Sequence, residues 1–319
     1  MTGAAVGRTA LEGLRVPAEQ RGAGRDDVRL LVSRGAEVSH HAFRDLAGQL
    51  RAGDVLVVNT SRTLPAAVEG RLGGERLVVH FPTRGDDGRW AVELRTPGRG
   101  SGTGRRKGAT LARAGGPAGA VIRLPGGGHL VLEEPLDPAG TRLWWARVAG
   151  GDVAGLLARH GRPIRYAYTE RDQPVSAYQT VFALPSADGS GSAEMPSAGR
   201  PFTARLVAEL VSRGVQLAPI RLDTGVASAE AHEPPYPERF EVPATTARLV
   251  NAAVAGGGRI VAVGTTAVRA LEAIAGRPAL ERACTEAVRH LYLWHEFGDV
   301  HLVLPDETAH SPSCASNLR

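Results

Sequence analysis

The chain has 319 residues, 43% of them hydrophobic and 22% charged, and 38 Lys plus Arg against 33 Asp plus Glu leave a formal net charge of +5. A globular protein with a substantial core and, most naturally, two domains is expected, and the mild basic bias permits an RNA partner without demanding one. Cys284 and Cys314 lack C-x-x-C spacing, which excludes a disulfide framework or a zinc knuckle, and no uncharged apolar stretch of about 20 residues is there to span a bilayer.

The opening MTGAAVGRTALEGLRVP lacks the continuous apolar core of a signal peptide, so a soluble, cytoplasmic protein is expected; a monomer is expected as well. From Arg29 the chain alternates as an α/β domain does: a short strand, an amphipathic segment over 42–50, and a buried strand over 54–59. After Pro65 the pattern changes. Short β-like runs at 75–81, 89–95, 118–124, 129–133 and 141–148, separated by Gly and Pro turns, predict a small antiparallel barrel or sandwich. This module, 66–149, reads as an insertion into a discontinuous main domain of 1–65 and 150–319. Its loop GRGSGTGRRKG carries Arg99, Arg105, Arg106 and Lys107, which suit RNA phosphates or a solvated surface equally.

Helix–strand alternation resumes at Asp152. Tyr178, Gln179 and Thr180 form an aromatic, amide and hydroxyl cluster, and Ser197, Ala198 and Gly199 form a turn before a helix capped at Thr203. Leu206, Val207, Leu210 and Val211 are its apolar stripe, Gly214 closes it, and a strand follows over 215–222. Free N–H groups and the dipole at such a helix start favour an anion; the alternative is an ordinary capped loop. A second strand over 259–263 meets Gly264, then Thr265 and Thr266, at the start of an amphipathic helix carrying Arg269. Gly264 lets backbone approach a ligand, and either threonine serves as cap or anion donor. No G-x-G-x-x-G and no Walker lysine motif follows a strand.

The ordered set GDVLVVNTSRTLPA, YQTVFA, PSAGRPFT, HEPPYPERFEVP and AVGTTAVRALE resembles the S-adenosylmethionine:tRNA ribosyltransferase-isomerase family of queuosine biosynthesis. The resemblance implies an α/β main domain with an inserted small antiparallel β-barrel domain. It implies an enzyme that moves the ribosyl part of S-adenosylmethionine onto a 7-aminomethyl-7-deazaguanine base of tRNA, with adenine and methionine released. S-adenosylmethionine is then the co-substrate, tRNA the partner, and no metal or second cofactor is implied. The matched motifs make Asn59, Arg62, Tyr178, Gln179, Thr180, Ser197, Ala198, Gly199, Thr203, Gly264, Thr265, Thr266 and Arg269 candidate substrate-binding residues.

That reaction needs a base for the acidified C5′ proton and a donor for the departing adenine. Glu194, Asp223 and His232 are the catalytic candidates, with Tyr178 and Phe202 as aromatic faces for the sulfonium. Their plainer roles are a cap, a turn former, a loop histidine and core packing. Several positions depart from the family pattern. Arg200-Pro201 stands for Leu-His, Glu194-Met195 for two alanines, Asp223 for a histidine, and Thr60-Ser61 for Asp-Thr. Pro201 cannot exchange a proton, and an ionised Asp only accepts. The terminal family blocks are not recognisable in HLYLWHEFGDVHLVLPDETAHSPSCASNLR; strands at 290–294 and 300–304 are expected before a frayed tail over 311–319. Two other readings accommodate these changes: a ribosyl or adenosyl transferase acting on a small-molecule acceptor, and a non-catalytic remnant that binds S-adenosylmethionine or RNA.

Overall fold

The computed structural model describes residues 16–34, 37–98, 110–136, 142–165, 169, 171–226, 236, 238–272 and 300–304. Arg99, Arg105, Arg106, Lys107, His232, both cysteines and the segments 290–294 and 311–319 lie outside them.

The run VLVVN has no polar face, and as β3 (Val55–Asn59) it is buried throughout, as a strand must be when both its edges are paired and both its faces covered. It pairs in parallel with β11 (Gln216–Leu222) on one side and β13 (Ile260–Ala262) on the other, and a short antiparallel β12 (Phe240–Glu241) completes the order β12-β11-β3-β13. Helix α2 (Ala204–Ser212) covers one face, packing Leu206 and Leu210 on Leu56 and Val58. Helices α3 (Ala244–Ala255) and α4 (Thr265–Glu272) cover the other, where Ala267 and Ala270 meet Val55, Val57 and Ile220. The α2 stripe is narrower than predicted: Leu206, Val207 and Leu210 pack on the core, whereas Val211 is 54% exposed because it falls to the far side of that row.

A second sheet lies against the α2 side. Strands β1 (Arg29–Arg34) and β2 (Glu37–Ala42) form a hairpin, and β14 (Val300–Leu304), expected from its apolar run, pairs in parallel with β1. The 42–50 segment is a 3₁₀ helix over Phe43–Gly48 that buries Phe43 and Leu46.

Strands β4 (Ala67–Leu72), β5 (Glu75–Arg84), β6 (Trp90–Pro97), β8 (Val121–Arg123), β9 (His129–Pro135) and β10 (Leu143–Ala149) close an antiparallel barrel through a β10–β6 pairing, with β7 (Thr110–Ala112) appended to β6. The fold is thus an α/β domain carrying an inserted antiparallel barrel. Along β6, Trp90, Val92 and Leu94 fill the interior while Ala91, Glu93 and Arg95 alternate outward, the period of two that any strand imposes. Helix α1 (Val153–His160), capped by Asp152 on the N–H groups of Ala154 and Gly155, plugs the barrel with Leu156 and Leu157. Strand β4 escapes sequence reading because Gly70 interrupts it. A Cβ there would stand 2.9 Å from the Ile122 side chain, so close strand packing requires the glycine.

At the opposite end of β3 from its chain exit, Asp54 is fully buried and receives Arg259 through Nε at 2.9 Å and Nη2 at 2.5 Å, with the Arg51 N–H at 2.8 Å. Burial would raise this carboxyl, but Arg259 and the Arg51 N–H outweigh it and hold it below the ordinary range. Removing Arg259 strands a buried carboxylate. Arg259→Met is therefore expected to cost about 3–5 kcal/mol, and the Asp54→Asn, Arg259→Met double variant to recover much of that. Urea unfolding of the three proteins checks this.

Candidate active site

Because β3, β11 and β13 run parallel, the chain leaves all three at one edge of the sheet, where ligands sit in open α/β folds. A cavity of about 390 Å³ opens there against the barrel. Its sheet-side wall comprises 194–198, 224–226, Tyr236, Glu238, Gly264, Thr265, Thr266 and Arg269, and its far wall Pro82, Thr83, Ala91, Leu136 and Leu143. The outward face of β6 and the neighbouring end of β5 thereby become cavity surface. Gly264 holds the two main-domain turns together: its φ is +89° and a Cβ would stand 3.0 Å from that of Ala198, so the approach suits glycine on two counts.

Two carboxylates belong to this wall, half-buried Glu194 and Glu238. One Glu238 oxygen accepts the Gly225 N–H at 2.9 Å and the other pairs with Arg269. Burial raises the Glu238 carboxyl above the ordinary value, against the opposing pull of the Gly225 N–H and Arg269. Two wall hydroxyls, Thr224 Oγ1 and Thr266 Oγ1, are buried without a hydrogen-bond partner among the described residues, a situation that native folds rarely leave unmet.

Behind the wall runs a chain of buried hydrogen bonds. Ser192 Oγ accepts the Thr224 N–H at 3.0 Å and donates to Ser61 Oγ at 2.8 Å, and Ser61 donates to Asp223 Oδ1 at 2.7 Å. Arg221 grips both Asp223 oxygens at 3.0 and 3.1 Å. Asp223 is 3% exposed and faces a separate polar hollow with Arg221 and Arg239, so it sits behind the cavity wall and not in it.

Of the residues singled out in the sequence, the cavity brings together Glu194, Ser197, Ala198, Gly264, Thr265, Thr266 and Arg269. The others stand back from it. Asn59 ties β3 to β11 through both backbone groups of Leu222, Arg62 is exposed, and the Gln179 amide pairs with the backbone of Thr63 in the manner of a strand. Thr203 Oγ1 caps α2 through the Leu206 N–H, and Thr180 and Gly199 pack behind the turn. Tyr178 is buried against Met195, and Phe202 stacks edge-on with Phe43 and Phe182; the aromatic in the wall is Tyr236 instead. Sequence reading passed over Tyr236, Thr224 and Glu238. Tyr236 and Glu238 lie within HEPPYPERFEVP, where the histidine drew the attention, but no local pattern marks the barrel residues, which reach the site only by long-range packing.

Residues 14–276 match a family model described as queuosine biosynthesis protein. The chain belongs to this family. It is 36% identical over 262 residues to the S-adenosylmethionine:tRNA ribosyltransferase-isomerase of Acidiphilium cryptum, covering 79% of this chain and 71% of that protein. The enzyme of the same name from Moorella thermoacetica is 35% identical over 264 residues, with the same coverage of each chain. A crystal structure of S-adenosylmethionine tRNA ribosyltransferase from Thermotoga maritima covers 88% of this chain and 93% of its own, at 23% identity and a TM-score of 0.38.

Within this queuosine-biosynthesis family member, Arg200 and Pro201 are built into the core. Arg200 is 3% exposed and holds both Glu19 carboxylate oxygens at 3.0 Å and the Ala177 carbonyl at 2.9 Å, so the N-terminal 3₁₀ helix Ala18–Arg21 is pinned beneath the cavity turn. Burial would raise the Glu19 carboxyl, but hydrogen bonding and the Arg200 charge pull it below its usual value.

The raised Glu238 carboxyl binds its proton more tightly folded than unfolded. The stability this contributes is present below the unfolded carboxyl value and is lost as pH rises through the raised folded one. Glu238→Gln abolishes that titration. Its stability relative to wild type is expected to improve as pH rises from about 4 to about 7, followed by urea unfolding at each pH; a pH-independent difference would contradict it.

Proposed function

We propose that this chain is an S-adenosylmethionine:tRNA ribosyltransferase-isomerase. It binds S-adenosylmethionine in the cavity, transfers and rearranges its ribosyl part onto 7-aminomethyl-7-deazaguanine in tRNA, and releases adenine and methionine. Residues 1–65 and 150–319 form its main domain and 66–149 the insertion, and it works as a monomer in the cytoplasm. The observation that carries the reading is one cavity shared by the turn 194–198 and the start of α4, two segments whose sequences, PSAGRPFT and AVGTTAVRALE, resemble motifs of the family. Its volume of about 390 Å³ falls within the roughly 300–1,000 Å³ of small-molecule sites.

The chemistry asks for negative charge beside a sulfonium, a base within reach of an acidified C5′ proton and a donor to the departing base. Glu194 and Glu238 answer the first need, and Tyr236 adds an aromatic face. Glu194 is assigned as the base. Asp223 acts from behind through Ser61 and Ser192, fixing the Thr224 backbone. His232 stays a third catalytic candidate through its place in the matched motif. Asn59, Arg62, Tyr178, Gln179, Thr180, Gly199 and Thr203 support the ligand-facing turns.

The reading is tested by incubating the protein with S-adenosylmethionine and tRNA carrying the aminomethyl base, then measuring free adenine by chromatography. Adenine release that requires the tRNA is expected, with Glu194→Gln slowing it about 10²-fold or more. Release with a small-molecule acceptor but not with tRNA would move the acceptor; binding without release would make the protein a non-catalytic remnant.

A further inference from the structure

The direction in which a ligand lies in this cavity is written in its walls. At one end, α4 begins. Its first intrahelical bond runs from the Val268 N–H to the Gly264 carbonyl, so the N–H groups of Thr265, Thr266 and Ala267 precede any helical acceptor and carry the positive end of the dipole. Thr266 belongs to the cavity wall and is 5% exposed, and its Oγ1 has no partner among the described residues. That hydroxyl lies 3.9 Å from the point a Cβ on Gly264 would occupy, at the junction of the two turns. A buried donor without an acceptor is costly, and here it accompanies a row of N–H groups in the same need. The missing element is an acceptor with negative charge.

The charges around it choose the kind of anion. Arg269 lies one helical turn beyond Thr265 and Thr266, and it draws Glu238 alongside α4. Glu194 lies on the same wall. A doubly charged phosphate would face both carboxylates, whereas a carboxylate borne by a molecule that also carries positive charge satisfies the helix start and the two glutamates together. On the barrel side, Pro82, Ala91, Leu136 and Leu143 offer an apolar surface suited to the flat face of a base.

We infer that the start of α4 and the Thr266 hydroxyl form a carboxylate-anchoring subsite, holding the amino-acid end of the sulfonium ligand and directing its adenine toward the barrel. This rests on the functional reading above and deepens it by assigning the ligand's orientation. Thr266 is a ligand-binding residue in this assignment, and the barrel supplies the nucleoside end.

Equilibrium binding of S-adenosylmethionine and of decarboxylated S-adenosylmethionine, which differ only in the carboxylate, tests it. Wild type is expected to prefer the carboxylated ligand at least tenfold. Thr266→Val should weaken that ligand at least tenfold while leaving the decarboxylated one within about twofold, and Thr266→Ser should keep the wild-type pattern. Unchanged binding of the decarboxylated ligand also reports that the Val variant is folded. Equal weakening of both ligands, no weakening of either, or a wild type that does not discriminate would each overturn the subsite. A wild type that binds neither ligand would overturn the functional reading together with it.

Discussion

The double parallel pairing of β3 is the constraint on which the site depends. With β11 and β13 both in parallel register beside it, three chain segments distant in sequence must emerge at one edge, and the Asn59 side chain locks two of them there through Leu222. Everything the cavity offers on its main-domain side follows from that exit: the Thr224–Gly225 backbone after β11, the Gly264 turn after β13, and the 194–198 turn tied to β11 through the Ala193 N–H and the Thr224 carbonyl at 2.7 Å. Antiparallel pairing would have sent the β11 and β13 exits to the end of the sheet opposite the β3 exit.

The barrel closes what the sheet leaves open. Its interior is apolar in the usual way, but the outer faces of β5 and β6 are buried as well. Val78 packs against Ala66, Ile164 and Ala193. Beside it His80 and Glu93 meet at 3.0 Å, with Arg95 and Arg142 each 2.9 Å from the same carboxylate. Burial works against that carboxylate, yet His80 and the two guanidinium groups bring it down to about 2, so it is a fixed charge under the cavity wall. Burial likewise keeps His80 below its usual value despite Glu93. A satisfied cluster of this kind is costly to disturb from either side, which suits a wall that must hold its shape while a ligand enters.

The positions read in the sequence as departures from the family pattern sit in compensated contacts. Arg200 is matched by Glu19, and Asp223 by Arg221 and Ser61. Ser61 itself follows Thr60, whose Oγ1 donates to the Ile220 carbonyl at 2.9 Å. Both of these buried charges are thus paired within the described residues, and the cavity wall keeps two carboxylates, Glu194 and Glu238. Among these positions, Glu194 is the charged one that lines the cavity.

Much of the fold was legible in order along the chain. The apolar run of β3, the capped start of α2, the strand–Gly–Thr–Thr–helix passage and the change to short alternating runs after Pro65 are local patterns, set by backbone periods of two and 3.6 and by the special needs of Gly, Pro and Thr. Motif order carried the family. Tertiary structure alone decided which of the marked residues face the cavity. Tyr178, Phe202 and Asp223 carry the right chemistry, yet packing turns the two rings inward and a salt bridge holds the carboxylate behind the wall, while Glu238, Tyr236 and the barrel's Leu143 arrive from elsewhere. A side chain's type is a property of its position in the sequence, but its direction depends on contacts between residues far apart in it, and those exist only once the chain has folded.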